Sequence, residues 1–262
     1  MRLLAFAVVM TAAAQTPIID ELAREVMANK KRFDRDLTEY TYDFHSTIID
    51  YDAKGRESKR TVTTGETYQS SQRNVNVNLT WNGKPVDKKN LEKERLKVAK
   101  ALQADFELRL KAPKNDWDQG PEYGVNFGSL RMSIFDVLRG CPLRNRRREV
   151  VDGRPHFAFD FLPAETPLKD LPHLSALHGT FWIDEKARMV SRWVAYTASD
   201  ALVFEQVYPI QPDGTSLSKR LHVNLNAAPE LFKNKRSEWI AEFSNHKRFD
   251  VGVEQKIETP VQ

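Results

Sequence analysis

Residues able to do chemistry are scattered thinly through this 262-residue chain, and few of them stand at a working spacing. Ser216-Leu217-Ser218-Lys219 matches the S-x-x-K nucleophile motif of penicillin-recognising enzymes. That motif needs a helix start and S-D-N and K-T-G partners. Here it follows a Pro-Asp-Gly turn and enters a β-patterned run, and neither partner is present, so it reads as a chance match. The six histidines are dispersed; His173 and His178 stand five apart beside prolines and far from the single cysteine. That is no zinc spacing, and neither metal nor cofactor is expected. There is no G-x-S-x-G, no glycine-rich phosphate loop and no H-E-x-x-H. The reading is non-enzymatic.

Two other groups carry more information. Arg144, Arg146, Arg147 and Arg148 form a basic run. Plain alternation puts Arg144, Arg146 and Arg148 on one strand face, as a patch for anionic headgroups or an acidic partner, or as a solvated strand edge. Phe157, Phe159 and Phe161 share a face by the same alternation, and Phe181, Trp193, Phe204, Trp239 and Phe243 recur on later strands. Such a face fills a core or lines a cavity for acyl chains. Asp160 falls on the face opposite Phe159 and Phe161, toward solvent. Val75, Val77 and Leu79 are expected to point into the same concavity as the phenylalanines, beneath a helix presenting Val98, Leu102, Phe106 and Leu110.

The elements that must position these residues follow from periodicity. Thr16-Pro17 opens a helix with apolar positions at Ile19, Leu22, Val26, Phe33 and Leu37. Alternation begins at Tyr40, and Val75, Val77, Leu79 and Trp81 alternate with polar residues up to Asn82-Gly83, a hairpin signal. A helix is expected over Asp87 to Lys111, then a loop over Pro113 to Gly128. Ser129 is expected to cap a short helix to Leu138, closed by Gly140. From Leu143 onward the pattern is β: strands at Arg144–Val151 and His156–Leu162 flank Asp152-Gly153, and Gly179–Ile183 and Met189–Thr197 flank Asp184-Glu185-Lys186. Further strands are expected at Leu202–Tyr208, Lys219–Asn226 and Trp239–Lys247. The fold class is α+β, a large curved antiparallel sheet forming an open half-barrel, with amphipathic helices covering its concave face.

Composition sets the address. Met1-Arg2, the apolar run Leu3 to Ala14 and Ala12-Ala13-Ala14 before Gln15 have the form of a cleavable secretory signal, too short to span a bilayer. Residues 1–14 are thus expected to be removed, leaving 15–262 as a single periplasmic or secreted domain without a transmembrane segment. With 40 Lys+Arg against 36 Asp+Glu, and only Arg2 in the signal, the mature excess is 39 − 36 = +3. That is too small for a dedicated nucleic-acid binder. Cys141, alone in the chain, excludes an internal disulfide and reads as a buried small hydrophobe.

The order of elements resembles a known family, the LolA/LolB-like outer-membrane lipoprotein-sorting proteins. The likeness is carried by the signal and leading helix, by Trp81-Asn82-Gly83-Lys84-Pro85 ahead of a charged helix, and by Val150-Val151-Asp152-Gly153-Arg154-Pro155. Gly179-Thr180-Phe181-Trp182-Ile183-Asp184 and Glu242 to Phe249 add to it. The resemblance implies an unclosed antiparallel barrel and a periplasmic carrier or sensor of lipid or lipoprotein acyl chains. No functional residue is carried over from the family; by strand alternation and the helix stripe the cavity residues would be Val75, Val77, Leu79, Phe157, Phe159, Phe161, Leu102 and Phe106. Its expected partners are acyl chains and an envelope membrane protein, and the chain is expected to be a monomer. The alternative is a structural or interaction module of the envelope with a filled core.

Overall fold

Most strands among the described residues fall where the alternating pattern lies. In the computed structural model, residues 21–22, 24–26, 28–29, 40–69, 74–111, 124–127, 130–166, 171–212 and 214–248 are described. Eleven strands form one antiparallel sheet: β1 (Tyr40–Tyr51), β2 (Glu57–Gln69), β3 (Asn74–Trp81), β4 (Lys84–Pro85), β7 (Leu143–Val151), β8 (Arg154–Phe161), β9 (Leu177–Asp184), β10 (Val190–Thr197), β11 (Leu202–Val207), β12 (Arg220–Asn224) and β13 (Ser237–Arg248). Their order is β4-β3-β2-β1-β13-β12-β11-β10-β9-β8-β7, so the sheet ends at β4 and β7 without closing. The open antiparallel sheet is the expected architecture. One long-range pairing, β1 with β13, joins the two runs of hairpins.

Local chemistry explains the corners. Asn82-Gly83 and Asp152-Gly153 hold both turn residues at positive φ, 49° and 76° in the first and 50° and 76° in the second, the two-residue turn that matches strand twist. α1 (Lys88–Lys111) begins at Asp87, whose carboxylate accepts from the Asn90 N–H at 3.0 Å. The next stretch departs from expectation. Gly124–Phe127 and Leu130–Ser133 pair as a separate hairpin, β5 and β6, where loop and helix start were expected. The cap is therefore Ser133, not Ser129. Its hydroxyl accepts from the Asp136 N–H while the Asp136 carboxylate accepts from the Ser133 N–H, and α2 (Ile134–Gly140) follows. A serine with an acidic residue three positions later was the better signal.

The described residues of the N-terminal helix, 21–22, 24–26 and 28–29, bury Leu22 and Val26 in the main core. The signal segment 1–14 and the rest of that helix lie outside the described residues. Among the described residues no helix is long and apolar enough to cross a membrane.

Candidate functional site

Antiparallel register builds the apolar face row by row. Directly opposed residues share a face. One row runs Phe159, Phe181, Trp193, Gln206, Leu221, Ala241, Ser46 across seven strands. The next runs Phe161, Gly179, Ala195, Phe204, Val223, Trp239. Gly179 is where the rows need a gap: a Cβ there would lie 2.7 Å from the Phe161 ring and 1.9 Å from the Val194 carbonyl oxygen. Phe159 and Phe181 stack with centroids 5.5 Å apart at 17°, and Trp193 lies 4.2 Å from Phe204.

Phe159 and Phe161 are fully buried, and Phe157 is half-buried at the rim beneath Arg146 and Arg188, whose guanidinium carbons lie 4.4 and 5.5 Å from its centroid. Helices cover this face. Leu22 and Val26 come from the N-terminal segment and Ile134 and Val137 from α2. The N-terminal segment meets the β9–β10 turn through polar contacts. There the Asn29 amide donates to the Ala187 and Arg188 carbonyls at 3.4 and 3.2 Å, and Arg188 meets Glu25 at 3.2 Å.

The same register corrects the single concavity. Val75 and Val77 oppose Tyr68 and Glu66, which oppose Thr41 and Asp43. Tyr42 and Phe44 carry the apolar face, since Tyr42 packs edge-on against Phe243 at 5.3 Å. Val75 and Val77 therefore point away from Phe159 and Phe161. Leu79 is the extra residue of a bulge between the pairs Thr64–Thr80 and Gly65–Asn78, and it is half-buried. Val77 is fully buried and Val98 nearly so. α1 packs against β3 and brings Arg95 within electrostatic reach of Tyr68, on the Val77 face. Leu102 is half-buried, and the side chain of Phe106 lies outside the described residues. Val75 and Val77 thus lie on the opposite side of the sheet from Phe157, Phe159 and Phe161.

The arginine patch is also corrected. Arg144 opposes Asp160, but Arg147 opposes Ala158 and Arg148 opposes Phe157. Asn145, at φ 50°, sits in the bulge that adds a residue to β7 and inverts the alternation. Arg144 shares a face with Arg147, and Arg146 and Arg148 lie on the other. Arg146 covers Phe157, and Arg148 donates to Glu185 at 2.7 Å. Arg147 donates to Asp160 at 2.8 Å and to Glu149, which accepts from the Trp182 indole at 2.7 Å. Asp160 also accepts from Thr180 at 2.7 Å and Asn145 at 3.2 Å. Burial opposes its ionisation, but these bonds offset that and hold its pKa below the usual range. Asp160 is on the expected face, half-buried and paired instead of solvated. Changing Arg144, Arg146 and Arg148 together to Gln should leave binding to anionic vesicles, and its salt dependence, at the parent level. A flotation assay across salt concentrations checks this, and a marked loss at low salt would restore the headgroup patch.

Cys141 is buried, as expected, as the residue after α2. Desolvation pushes its thiol up to about 11, partly offset by the Ala164 N–H. Such a thiol is unreactive at neutral pH. Ser216 is fully buried, with only a long 3.5 Å contact to the Val190 carbonyl. Among the described residues no cluster of His, Cys, Asp and Glu could hold a metal ion. Sequence reasoning missed two features: the unpaired polar atoms of Trp193 and Gln206, and the pairing of Asp184 with Arg154. Both depend on cross-strand register, which no spacing along one strand reveals.

No family model and no curated protein matches this sequence. Solved structures do. The chain is similar to a LolA superfamily protein from Nitrosomonas europaea at 6% identity, over 89% of this chain and 94% of that one, with TM-score 0.37. It is similar to a putative outer membrane lipoprotein-sorting protein domain from Vibrio parahaemolyticus at 10% identity, over 90% and 95%, with TM-score 0.39. A DUF1329 family protein from Desulfovibrio piger is matched at 15% identity over 90% and 94%, with TM-score 0.38. The likeness spans nearly the whole chain at very low identity.

Proposed function

We propose that this chain is a non-enzymatic periplasmic carrier or sensor that holds lipid or lipoprotein acyl chains against the apolar face of its open sheet. The observation that carries it is the cover on that face. Two sheets packed face to face would hold each other permanently. Here the aromatic rows are roofed by helices, and the described N-terminal segment lays Leu22 and Val26 on that face and meets the β9–β10 turn through Asn29 and Glu25. Opening such a cover exposes a few apolar side chains and no strand pairing of the large sheet, so it costs less than global unfolding and can occur while the sheet stays intact. A lifted cover exposes a face of aromatic and aliphatic side chains, which suits an acyl chain and offers no chemistry to it.

The complete burial of Phe159 and Phe161 favours a second reading, an envelope interaction module whose core is permanently filled. One preparation separates the two. Native mass spectrometry of protein taken from the cell envelope should show a chain starting at Gln15 with an acylated molecule bound, and a fluorescent fatty-acyl probe should bind saturably. A ligand-free chain that takes up no probe overturns the carrier. An intact Met1-Arg2 terminus overturns the exported location.

A further inference from the structure

Within the row Phe159, Phe181, Trp193, Gln206, Leu221, Ala241, one position breaks the apolar sequence. Gln206 is buried at 7% exposure directly opposite the fully buried Trp193. Among the described residues the Trp193 Nε1–H and the Gln206 Oε1 have no hydrogen-bond partner. Each is costly alone, since a buried polar atom without a partner forfeits its hydration and gains nothing in return. Elsewhere on this face polar groups are matched: the Trp239 indole N–H donates to the Ser46 Oγ at 2.8 Å. A leucine at 206 would continue the row without that cost.

We infer that Trp193 and Gln206 form a polar anchor for the oxygen-bearing head of an acylated ligand, deepening and resting on the acyl-binding reading above. An indole N–H can only donate, so the ligand must bring an acceptor oxygen. The unmet Oε1 of Gln206 can only accept, so the ligand must also bring a donor, and a hydroxyl supplies both, accepting from the indole N–H and donating to Oε1. Phe159, Phe181 and Phe204 flank the pair with apolar surface. The chemistry recognised is therefore a hydroxyl on a long apolar body, such as a monoacylglycerol. A plain hydrocarbon leaves both atoms unmet.

The test displaces a fluorescent acyl probe with a monoacylglycerol and with an alkane of equal chain length, using the full mature chain. The parent should bind the monoacylglycerol more tightly. Trp193→Phe and Gln206→Leu should each weaken it about tenfold while leaving alkane binding unchanged, the loss expected for one hydrogen bond withdrawn in a dry site. If Gln206→Leu does not fold, Gln206→Met serves in its place. Equal monoacylglycerol affinity in parent and both variants overturns the anchor and leaves acyl binding standing. A parent that binds neither ligand overturns both. Variants that melt higher than the parent, with no change in either affinity, show a trapped water only and also overturn the anchor.

Discussion

Phe159→Ala should lower the unfolding free energy by about 3–5 kcal/mol, the loss measured for large aromatic residues removed from packed cores. The ring is 1% exposed, stacks on Phe181 and lies in the row that crosses the sheet through Trp193. Truncation removes those contacts and leaves a void that neighbours on a hydrogen-bonded strand cannot close by moving together. Urea denaturation with the transition slope held common checks the figure. A cost below about 1 kcal/mol would mean the ring faces open space, contrary to its burial here. Phe157→Ala at the half-buried rim should cost distinctly less, since Arg146 and Arg188 keep their hydration when the ring is gone. The closed form is thus a filled core, and any acyl chain must enter by moving the cover, not by occupying a standing cavity beside Phe159.

How much of this was legible in the sequence depends on how far each feature reaches along the chain. Alternation is local, so nearly every strand could be placed, and Asn82-Gly83 and Asp152-Gly153 marked two of the hairpins by the need for positive φ. The helix from Asp87 was equally plain. Facing was legible only within an unbroken strand. Phe157, Phe159 and Phe161 do share a side, and Asp160 takes the other, because β8 has no bulge between them. Arg144 and Arg146 do not share a side, because Asn145 adds a residue between them, and an asparagine inside a basic run gives little warning of it. Val75 and Phe159 could not be set on one face or two from sequence at all. Their relation is fixed by eight intervening strand pairings and the bulges within them. Gln206 read as an ordinary strand residue for the same reason. Its significance lies in facing Trp193, and that is a fact of register.

Asp184→Ala should cost about 1–3 kcal/mol, the loss usual when a buried hydrogen-bond acceptor is removed and its donors are left without a partner. Asp184 ends β9 almost completely buried, and its two oxygens are fully used. One accepts from the backbone N–H groups of Lys186 and Ala187 at 2.9 and 2.7 Å, and the other from Arg154 at 2.6 Å across the strand pair. Burial alone would raise its pKa. Arg154 and the two backbone donors outweigh burial and hold the carboxyl below the usual aspartate range. A depressed folded pKa fixes the sign of the pH dependence. The contribution is present in full above the unfolded value near 3.9 and is lost as pH falls toward the folded pKa. The stability gap between parent and Asp184→Asn should therefore be constant near neutrality and close below about pH 4. Asp184→Asn should also fall short of the alanine loss, because an amide oxygen still accepts from Lys186 and Ala187. The carboxylate shapes the turn that presents the Ala187 and Arg188 carbonyls, where Asn29 holds the N-terminal segment. Asp184→Ala should then loosen the cover as well as the fold, and amide exchange should rise around Leu22 and Val26 before it rises in β10 and β11. Exchange that rises in all these places together would show that cover and sheet open as one unit, and the lifting motion assigned to the cover would have to be given up.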